Sequence, residues 1–378
     1  MKNIVYDFHV HAREQGMPEF YDSVKVYAPL GGAVYMMNFR SELDLSDPDI
    51  AVRFVDKYYR DIKKITDPIN PGHRPLLMPV LGGKMKPADL ESFLLKARAA
   101  GVPIVGCKIF TQGQSTNSGY APSTPQAVEL IKVLEAVNMP LALHMEDVDE
   151  KNATLKERTA IEKVLPQFVF NQGGQKRSIP ISIEHITDVK TIEFVKANDN
   201  IYCSIMPHHL ALSQEMLGVT DRAEAAAQLA KYNPFFFCKP IITTEENRTK
   251  LQEFWRSGHE RIICGTDAAP HEISKKTAET PAAGIFFGGR IEEAFANATY
   301  LPGMDLAAHL YKVKEILLKT TQNGARFYGV DLDGSSEYTF SQTLTPTNNK
   351  LTAVRDVLPL MITRRANYFN PNHPRENI

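Results

Sequence analysis

Two histidines and an arginine alternate near the N-terminus, in the run YDFHVHARE at residues 6–14. Because side chains of a strand alternate between its two faces, His9, His11 and Arg13 are expected to point to the same side. Two imidazoles at this spacing can bind one metal ion, but two packed or surface histidines would fit the same pattern. The pair by itself leaves a metal site and a structural role open.

Three further polar residues close other apolar runs of the chain. His144 lies in LALHMED, His185 in ISIEHITD and Asp267 in RIICGTDAAPH. Either histidine alone could be structural, since a buried histidine needs only a hydrogen-bond partner. A buried carboxylate without a partner is costly, and a metal ion would remove that cost. Four histidines and an aspartate make the nitrogen-and-oxygen ligand set that zinc favours.

Lys108, in VGCKIF, is the unusual member of this set. It could extend from a strand end to solvent or to a carboxylate. Burial near positive charge would instead lower its pKa and make the neutral amine accessible. Such an amine can take up carbon dioxide to form a carbamate, an anionic ligand with two oxygens that is able to bridge two metals.

The elements that must position these side chains alternate along the chain. The predicted strands cover residues 4–10, 33–38, 76–81, 105–109, 141–144, 181–185, 202–206 and 261–266. Helical patterns cover residues 86–101, 125–137, 157–170, 189–197, 244–257 and 305–325. Several strands are continuous apolar runs, which is typical of parallel strands buried on both faces. This order predicts an α/β fold, a (β/α)₈ TIM-type barrel, rather than an open doubly wound sheet with a dinucleotide-binding motif.

We expect residues 1–378 to form a single barrel domain, with residues 338–378 as a C-terminal extension packed on it. The candidate ligands all close predicted strands, and barrel enzymes build their active sites at the C-terminal ends of the strands. The chain therefore predicts one site at one end of the barrel.

Composition excludes several classes of protein. The 378 residues are 43% hydrophobic and 23% charged, with a formal net charge of −1. That balance gives no electrostatic reason to expect nucleic acid or an anionic membrane as a partner. No apolar run is long enough to span a bilayer, and the N-terminus lacks the features of a signal peptide, so a cytoplasmic location is expected. The four cysteines show no paired spacing and are expected to be reduced.

Taken together, these residues resemble the amidohydrolase superfamily, and more narrowly the dihydroorotases of the shorter, single-function bacterial type. The resemblance runs from residue 6 to about residue 360. Its motifs are DFHVHAR, VYMMN, GCKIF, LALHMED, SIEHITD, MPHHLAL, KYNPFFFCKPI, CGTDAAPH and NGARFYG. Several separate motifs in the right order are far more specific than any one of them.

The resemblance implies a role for each matching position. Two zinc ions per subunit would be bound by His9, His11, Lys108, His144, His185 and Asp267. Lys108 would bridge both ions as a carbamate (N6-carboxylysine), and Asp267 would also act as the general base. The substrate would be contacted by Arg13, Asn38, Lys239, His271 and Gly288. A mobile loop closing over the substrate would carry Ser115 and Thr116.

Arg13 supports an anionic substrate on physical grounds as well. A guanidinium beside two metal ions is unfavourable unless an anion lies between them, and its fork matches a carboxylate. A salt bridge from Arg13 to Glu14 or Asp7 is the structural alternative. Asn38 could equally be a strand-end turn residue, and His271 a loop histidine.

The implied activity is the reversible hydrolysis of the cyclic amide of (S)-dihydroorotate to N-carbamoyl-L-aspartate, the third step of de novo pyrimidine biosynthesis. A hydroxide shared by the two zinc ions would be the nucleophile. The family also suggests a homodimer. A hydantoinase- or dihydropyrimidinase-like enzyme and a catalytically inactive barrel are the alternatives. The run GIFFGG at residues 284–289 replaces the family's Phe-Asn-Ala-Pro stretch, a difference that concerns substrate identity more than metal binding.

Overall fold

The computed structural model describes residues 2–13, 18–37, 47–81, 85–110, 125–147, 149–171, 173–232, 234–286, 290–301 and 303–340. The predicted contacts Asn38, Ser115, Thr116 and Gly288 lie outside these residues, as does the predicted extension after residue 340. Among the described residues, no helix combines the length and the apolar character that crossing a bilayer requires.

Eight parallel strands form the centre of the described structure. They are β1 (Tyr6–Val10), β2 (Gly32–Met37), β3 (Arg74–Pro79), β4 (Cys107–Phe110), β5 (Leu141–His144), β6 (Ile181–Ile183), β7 (Ile201–Ile205) and β8 (Ile262–Cys264). Neighbours follow chain order, with β1 to β3 in one sheet and β4 to β8 in the other. Isolated parallel bridges join the two sheets at Val80–Lys108 and at Val10–Ala268. The strands thus close into a ring, which confirms the predicted (β/α)₈ barrel.

Helices connect consecutive strands and cover the barrel. They are α1 (Pro18–Tyr27), α2 (Pro48–Thr66), α3 (Pro87–Ala99), α4 (Pro125–Ala136), α5 (Lys156–Thr159), α6 (Leu165–Val169), α7 (Val189–Ala197), α8 (Pro207–Ala211), α9 (Arg222–Tyr232), α10 (Glu245–Ser257), α11 (Ile273–Lys276), α12 (Ile291–Thr299) and α13 (Leu306–Tyr328). Local sequence explains many of their ends. Asp47 and Asp305 cap α2 and α13 through their side chains, and Gly101 (φ +73°) follows α3.

The structure differs from the predicted elements where the backbone changes conformation. The predicted helix over residues 157–170 is broken into α5, a π-helical turn (Ala160–Val164) and α6. Pro166 lacks the N–H that an unbroken α-helix would need at this point. The sixth and eighth strands end at Ile183 and Cys264, before His185 and Asp267. Both of those residues have positive φ, which a strand cannot accommodate.

Side chains of the strands pack on two sides of the barrel wall. An inner cluster includes Tyr6, Phe8, Val34 and Met36, and a larger outer cluster lies between strands and helices. The pairing of β1 with β2 is irregular between residues 7 and 10. Such an irregularity lets two consecutive side chains face the same side, so His9 can join Phe8 in facing the barrel interior.

Candidate active site

His9, His11 and Asp267 meet where the first and last strands close the barrel. All are buried, and their ligand atoms lie within 4.8 Å of one another. Asp267 Oδ1 is 3.3 Å from His9 Nε2 and 3.4 Å from His11 Nε2. Two imidazole nitrogens and a carboxylate oxygen at these separations can bind one divalent cation.

Lys108, His144 and His185 extend this cluster across the same end of the barrel. Lys108 is fully buried, and its Nζ lies 2.8 Å from His9 Nε2. The His144 Nδ1 and His185 Nε2 atoms are 3.0 Å apart, and the ring centroids of His9 and His185 are 5.5 Å apart. The structure therefore brings all six sequence-predicted ligands together; their role as ligands remains a prediction.

The path of the chain after β1, rather than strand alternation, orients two of the predicted residues. β1 ends at Val10, so alternation along a strand cannot orient His11 and Arg13. The His11 N–H donates to the Ala268 carbonyl at 2.9 Å. Arg13 then takes a left-handed conformation, with φ of 70°. The hydrogen bond to the segment after β8 therefore directs His11 to the site, and the left-handed turn directs Arg13.

Unusual backbone conformations are concentrated here. Among the described residues, the non-glycine residues with positive φ are Arg13 (70°), Asn138 (52°), His185 (41°) and Asp267 (51°). All except Asn138 are predicted site residues. Such conformations cost about 1–3 kcal/mol each and persist where the surrounding structure imposes them, which is most often at functional sites.

Two buried carboxylates that the sequence analysis did not single out contact the candidate ligand rings. Each lies against one ring nitrogen of a histidine. Glu184 Oε2 is 2.5 Å from His9 Nδ1, and Glu146 Oε2 is 2.7 Å from His144 Nε2. A carboxylate on one ring nitrogen fixes the tautomer and directs the other nitrogen toward the centre. A signal was present, since both glutamates lie within the motifs SIEHITD and LALHMED.

Burial sets the charge of the ligand side chains. It lowers the pKa of His11 to about 3 and that of Lys108 to about 8. Burial raises the pKa of the Asp267 carboxyl, but the neighbouring His9 and His11 outweigh this and keep its pKa well below the ordinary value. A neutral His11 imidazole and an ionised Asp267 carboxylate are the protonation states in which these groups bind metals.

The donor set fits divalent metal ions. His185 Nδ1 is buried and has no hydrogen-bond partner among the described residues, while its Nε2 faces His144 Nδ1. A buried ring nitrogen without a partner, close to a buried carboxylate, is costly unless a cation binds there. The mixture of nitrogen and oxygen donors is that of zinc sites.

The predicted substrate contacts that the structure describes lie next to this cluster. Arg13 Nη2 is 3.0 Å from His271 Nδ1, and the Arg13 Nε–H donates to the Pro270 carbonyl. Burial, together with the charge of Arg13, lowers the pKa of His271 to about 2, so its ring is neutral. Lys239 is half-buried and follows Phe237, whose carbonyl accepts from the Gly284 N–H at 2.9 Å. This places residues 237–240 beside the segment that follows His271.

Comparisons with known proteins agree with the barrel fold, although no family model matches the chain. A curated dihydroorotase of Escherichia fergusonii is 26% identical over 340 residues, which are 87% of this chain and 85% of that protein. The crystal structure of a Campylobacter jejuni dihydroorotase has a TM-score of 0.62 and 23% identity, and covers 88% of this chain and 84% of its own. The structure of the Saccharomyces cerevisiae dihydroorotase in complex with 5-fluoroorotic acid has a TM-score of 0.67 and 21% identity. That match covers 89% of this chain and 86% of the yeast chain. The resemblance predicted from the motifs is confirmed: over most of its length the chain is similar to curated dihydroorotases and to solved dihydroorotase structures.

Proposed function

We propose that this protein is a dihydroorotase, which reversibly hydrolyses the cyclic amide of (S)-dihydroorotate to N-carbamoyl-L-aspartate in pyrimidine biosynthesis. The observation that carries the proposal is the Arg13 guanidinium held against His271 beside the candidate metal centre. A guanidinium next to a cation-binding cluster needs an intervening anion, and dihydroorotate carries a carboxylate that Arg13 can bind through two hydrogen bonds. Similarity to dihydroorotases over most of the chain supports the same substrate.

The proposed metal content is two zinc ions per subunit. His9, His11 and Asp267 would hold one, and His144 and His185 the other. Lys108 would bridge them after its neutral Nζ adds to the carbon of carbon dioxide and loses a proton, which leaves an anionic N-carboxylate. The pKa of Lys108, lowered by burial to about 8, makes that neutral amine accessible. When bound, divalent zinc supplies Lewis acidity toward the ring carbonyl and a nucleophilic water near neutral pH.

The side chains of the site divide the remaining chemistry. Arg13 would bind the substrate carboxylate and orient the ring. The ionised Asp267 carboxylate would accept a proton from the attacking water and deliver it to the ring nitrogen as the carbonyl carbon–nitrogen bond breaks. The second proton of the water is released to solvent, so the new carbon–oxygen bond leaves a carboxylate on the product, and the reverse sequence closes the ring.

Turnover of two ring substrates, measured before and after chelation, tests this proposal. Dihydrouracil has the same cyclic amide but lacks the carboxylate. We expect the purified enzyme to open dihydroorotate and to open dihydrouracil far more slowly, with activity lost on chelation and restored by zinc. Preference for dihydrouracil would instead indicate a dihydropyrimidinase-like enzyme. A protein that binds no metal and opens neither ring would be an inactive barrel.

Substitution of Arg13 tests the carboxylate contact itself. Arg13→Met removes the guanidinium, so KM for dihydroorotate is expected to rise steeply while the metal content stays near two per chain. Arg60→Met is the matched control, because Arg60 has a 70% exposed side chain on α2 and pairs with Asp56 at the surface. Loss of zinc in the Arg13 variant would show that Arg13 is structural.

A homodimer remains a proposal that follows from the family resemblance, and a cytoplasmic location remains one that follows from the pattern of the sequence. Light scattering coupled to size-exclusion chromatography would measure the mass in solution, and the expected value is twice that of the 42.4 kDa chain.

A further inference from the structure

Lys276, the last residue of α11, is a buried lysine to which the proposed chemistry gives no role. Its side chain is almost completely removed from solvent, with 3% of the residue exposed. Nζ donates to three backbone carbonyls, those of Ala282 and Gly284 at 2.7 Å and that of Phe237 at 3.2 Å. An ammonium has three N–H donors, so these acceptors engage every one of them.

The three carbonyls belong to two segments that are distant in sequence. Phe237 precedes Lys239, one of the proposed substrate contacts, whereas Ala282 and Gly284 follow α11. The Gly284 N–H donates to the Phe237 carbonyl at 2.9 Å and joins the two segments directly. Lys276 is therefore a common attachment point for residues 237–240 and residues 282–285.

The attached segments lie directly against the Arg13–His271 pair. A Cβ atom added to Gly284 would lie 3.2 Å from His271 Cε1 and 2.7 Å from the Ala269 Cβ, so the backbone at Gly284 packs on that histidine. The Ala269 N–H also donates to the Ile285 carbonyl at 2.7 Å. A displacement of residues 282–285 would move the surface against which His271 rests.

The charges of the region interact as well. Burial, with a smaller contribution from the charge of Arg13, lowers the pKa of Lys276 to about 7. The charge of Lys276 in turn contributes, after burial and Arg13, to the low pKa of His271. Basic groups gathered in this way repel one another, and a bound carboxylate would relieve that repulsion.

We propose that Lys276 is a positioning residue for the anionic substrate: it fixes residues 237–240 and 282–285 against His271, so that the Arg13–His271 pair and the backbone at Lys239 face the same ligand. This inference rests on the proposed dihydroorotase function. Lys276 would act through backbone that it holds, and it would not touch the reacting atoms.

Two variants of adjacent lysines test the proposal. Lys276→Met keeps the length of the side chain but removes all three donors. Lys275→Met is the matched control, because the neighbouring side chain is 44% exposed and lies 3.8 Å from Glu272. We expect Lys276→Met to raise KM for dihydroorotate on the order of 10- to 100-fold, since small displacements of binding groups have effects of this size. kcat is expected to fall less and zinc content to stay at the wild-type level, while Lys275→Met matches wild type in all three.

A conservative variant keeps the test decisive if Lys276→Met does not fold. Lys276→Arg retains the charge but cannot reach the same three carbonyls, so KM is expected to rise by a smaller factor. The proposal would be overturned if the Lys276 variants had a KM within twofold of that of Lys275→Met. It would also be overturned if a fall in their zinc content accounted for the lost activity.

Amide hydrogen exchange separates this inference from the function on which it rests. If the wild-type enzyme does not open dihydroorotate, the proposed function fails. Faster exchange at residues 237–240 and 282–285 in Lys276→Met or Lys276→Arg, but not in Lys275→Met, would still show that Lys276 holds both segments. Unchanged exchange at these residues would contradict that role.

Discussion

At the scale of single residues, the site consists of ligand side chains held from behind by buried acceptors. Glu184 contacts His9 and also accepts hydrogen bonds from Ser182 Oγ at 2.5 Å and Ser204 Oγ at 3.0 Å. These contacts leave the ring of His9 little rotational freedom. Rings that are oriented before a metal arrives lose less entropy on binding, so the buried carboxylates contribute to metal affinity without touching the ion.

Asp267→Asn tests the proposed general base. The amide keeps the size of the side chain but cannot take up a proton, so the fold is expected to be retained and turnover to fall by about 10²- to 10⁴-fold. Steady-state kinetics and circular dichroism would measure both, with zinc content determined in parallel because Asp267 is also a proposed ligand. Turnover close to that of wild type would eliminate Asp267 as the base.

Glu184→Gln tests the support of His9. Replacing the carboxylate weakens the contact to His9 Nδ1, and zinc affinity is expected to fall by about 10- to 100-fold. Competition with a chelator would measure the affinity. Glu193→Gln on α7 is the control, because that side chain is 59% exposed and pairs with Lys190 at the surface. Equal affinities in the two variants would show that Glu184 does not support the metal centre.

At the scale of elements, closure of the barrel between β1 and β8 determines the site. The buried Asp7 carboxylate accepts from the Thr266 N–H at 3.0 Å and the Thr266 hydroxyl at 2.6 Å, and from the His9 N–H at 3.1 Å. The Asp267 N–H donates to the His9 carbonyl at 2.9 Å. These hydrogen bonds hold the ligands of two distant chain segments in one register.

Gly265→Ala tests this close approach. A Cβ atom at position 265 would lie 2.6 Å from His9 Cβ and 2.9 Å from His9 N, so the two segments would have to separate. Overpacking of this kind costs about 1–3 kcal/mol, and we expect both the thermal midpoint and the zinc affinity to fall. Gly173→Ala is the control, because among the described residues its Cβ would meet the Asn171 side chain alone, at 3.3 Å. An unchanged midpoint in the Gly265 variant would mean that the barrel can relax here.

At the scale of the whole molecule, the two ends of the barrel differ in function. The C-terminal ends of the strands carry the candidate site, and the N-terminal ends carry hydrogen bonds that serve stability. There, the buried His73 lies beside the start of β3. Its Nδ1 is 3.1 Å from the Leu30 carbonyl and its Nε2 is 3.2 Å from the Tyr35 hydroxyl. Because the carbonyl can only accept, Nδ1 carries the proton and Nε2 accepts from Tyr35.

His73 predicts a pH dependence of stability that is independent of the site. Burial lowers its pKa to about 4 in the folded protein, against an ordinary value of 6.5. Between these values the unfolded chain binds a proton that the folded protein does not, so stability is lost as pH falls through this window. The slope for one proton is up to about 1.4 kcal/mol per pH unit. Denaturant unfolding of wild type and His73→Gln across the window should show a shallower slope in the variant; equal slopes would contradict the assignment.

Much of the barrel follows from local pattern, because strand and helix periodicity is carried by neighbouring residues. β5 and α7 have the predicted ends, and Gly101 and Asp305 terminate helices as their residue types suggest. The sixth and eighth strands, predicted to end at residues 185 and 266, stop two residues earlier, because tertiary contacts impose positive φ on the neighbouring His185 and Asp267. Local propensity contains no information about such imposed conformations.

The sequence alone determined which residue types close the strands, and with them a barrel carrying a cluster of candidate metal ligands. The folded chain shows in addition which carboxylate contacts which ring, how Arg13 turns toward His271, and which segments Lys276 joins. Glu184 lies 175 positions from His9, and Arg13 lies 258 from His271. Such contacts depend on how the ring of strands closes, and periodicity along the chain does not encode that closure.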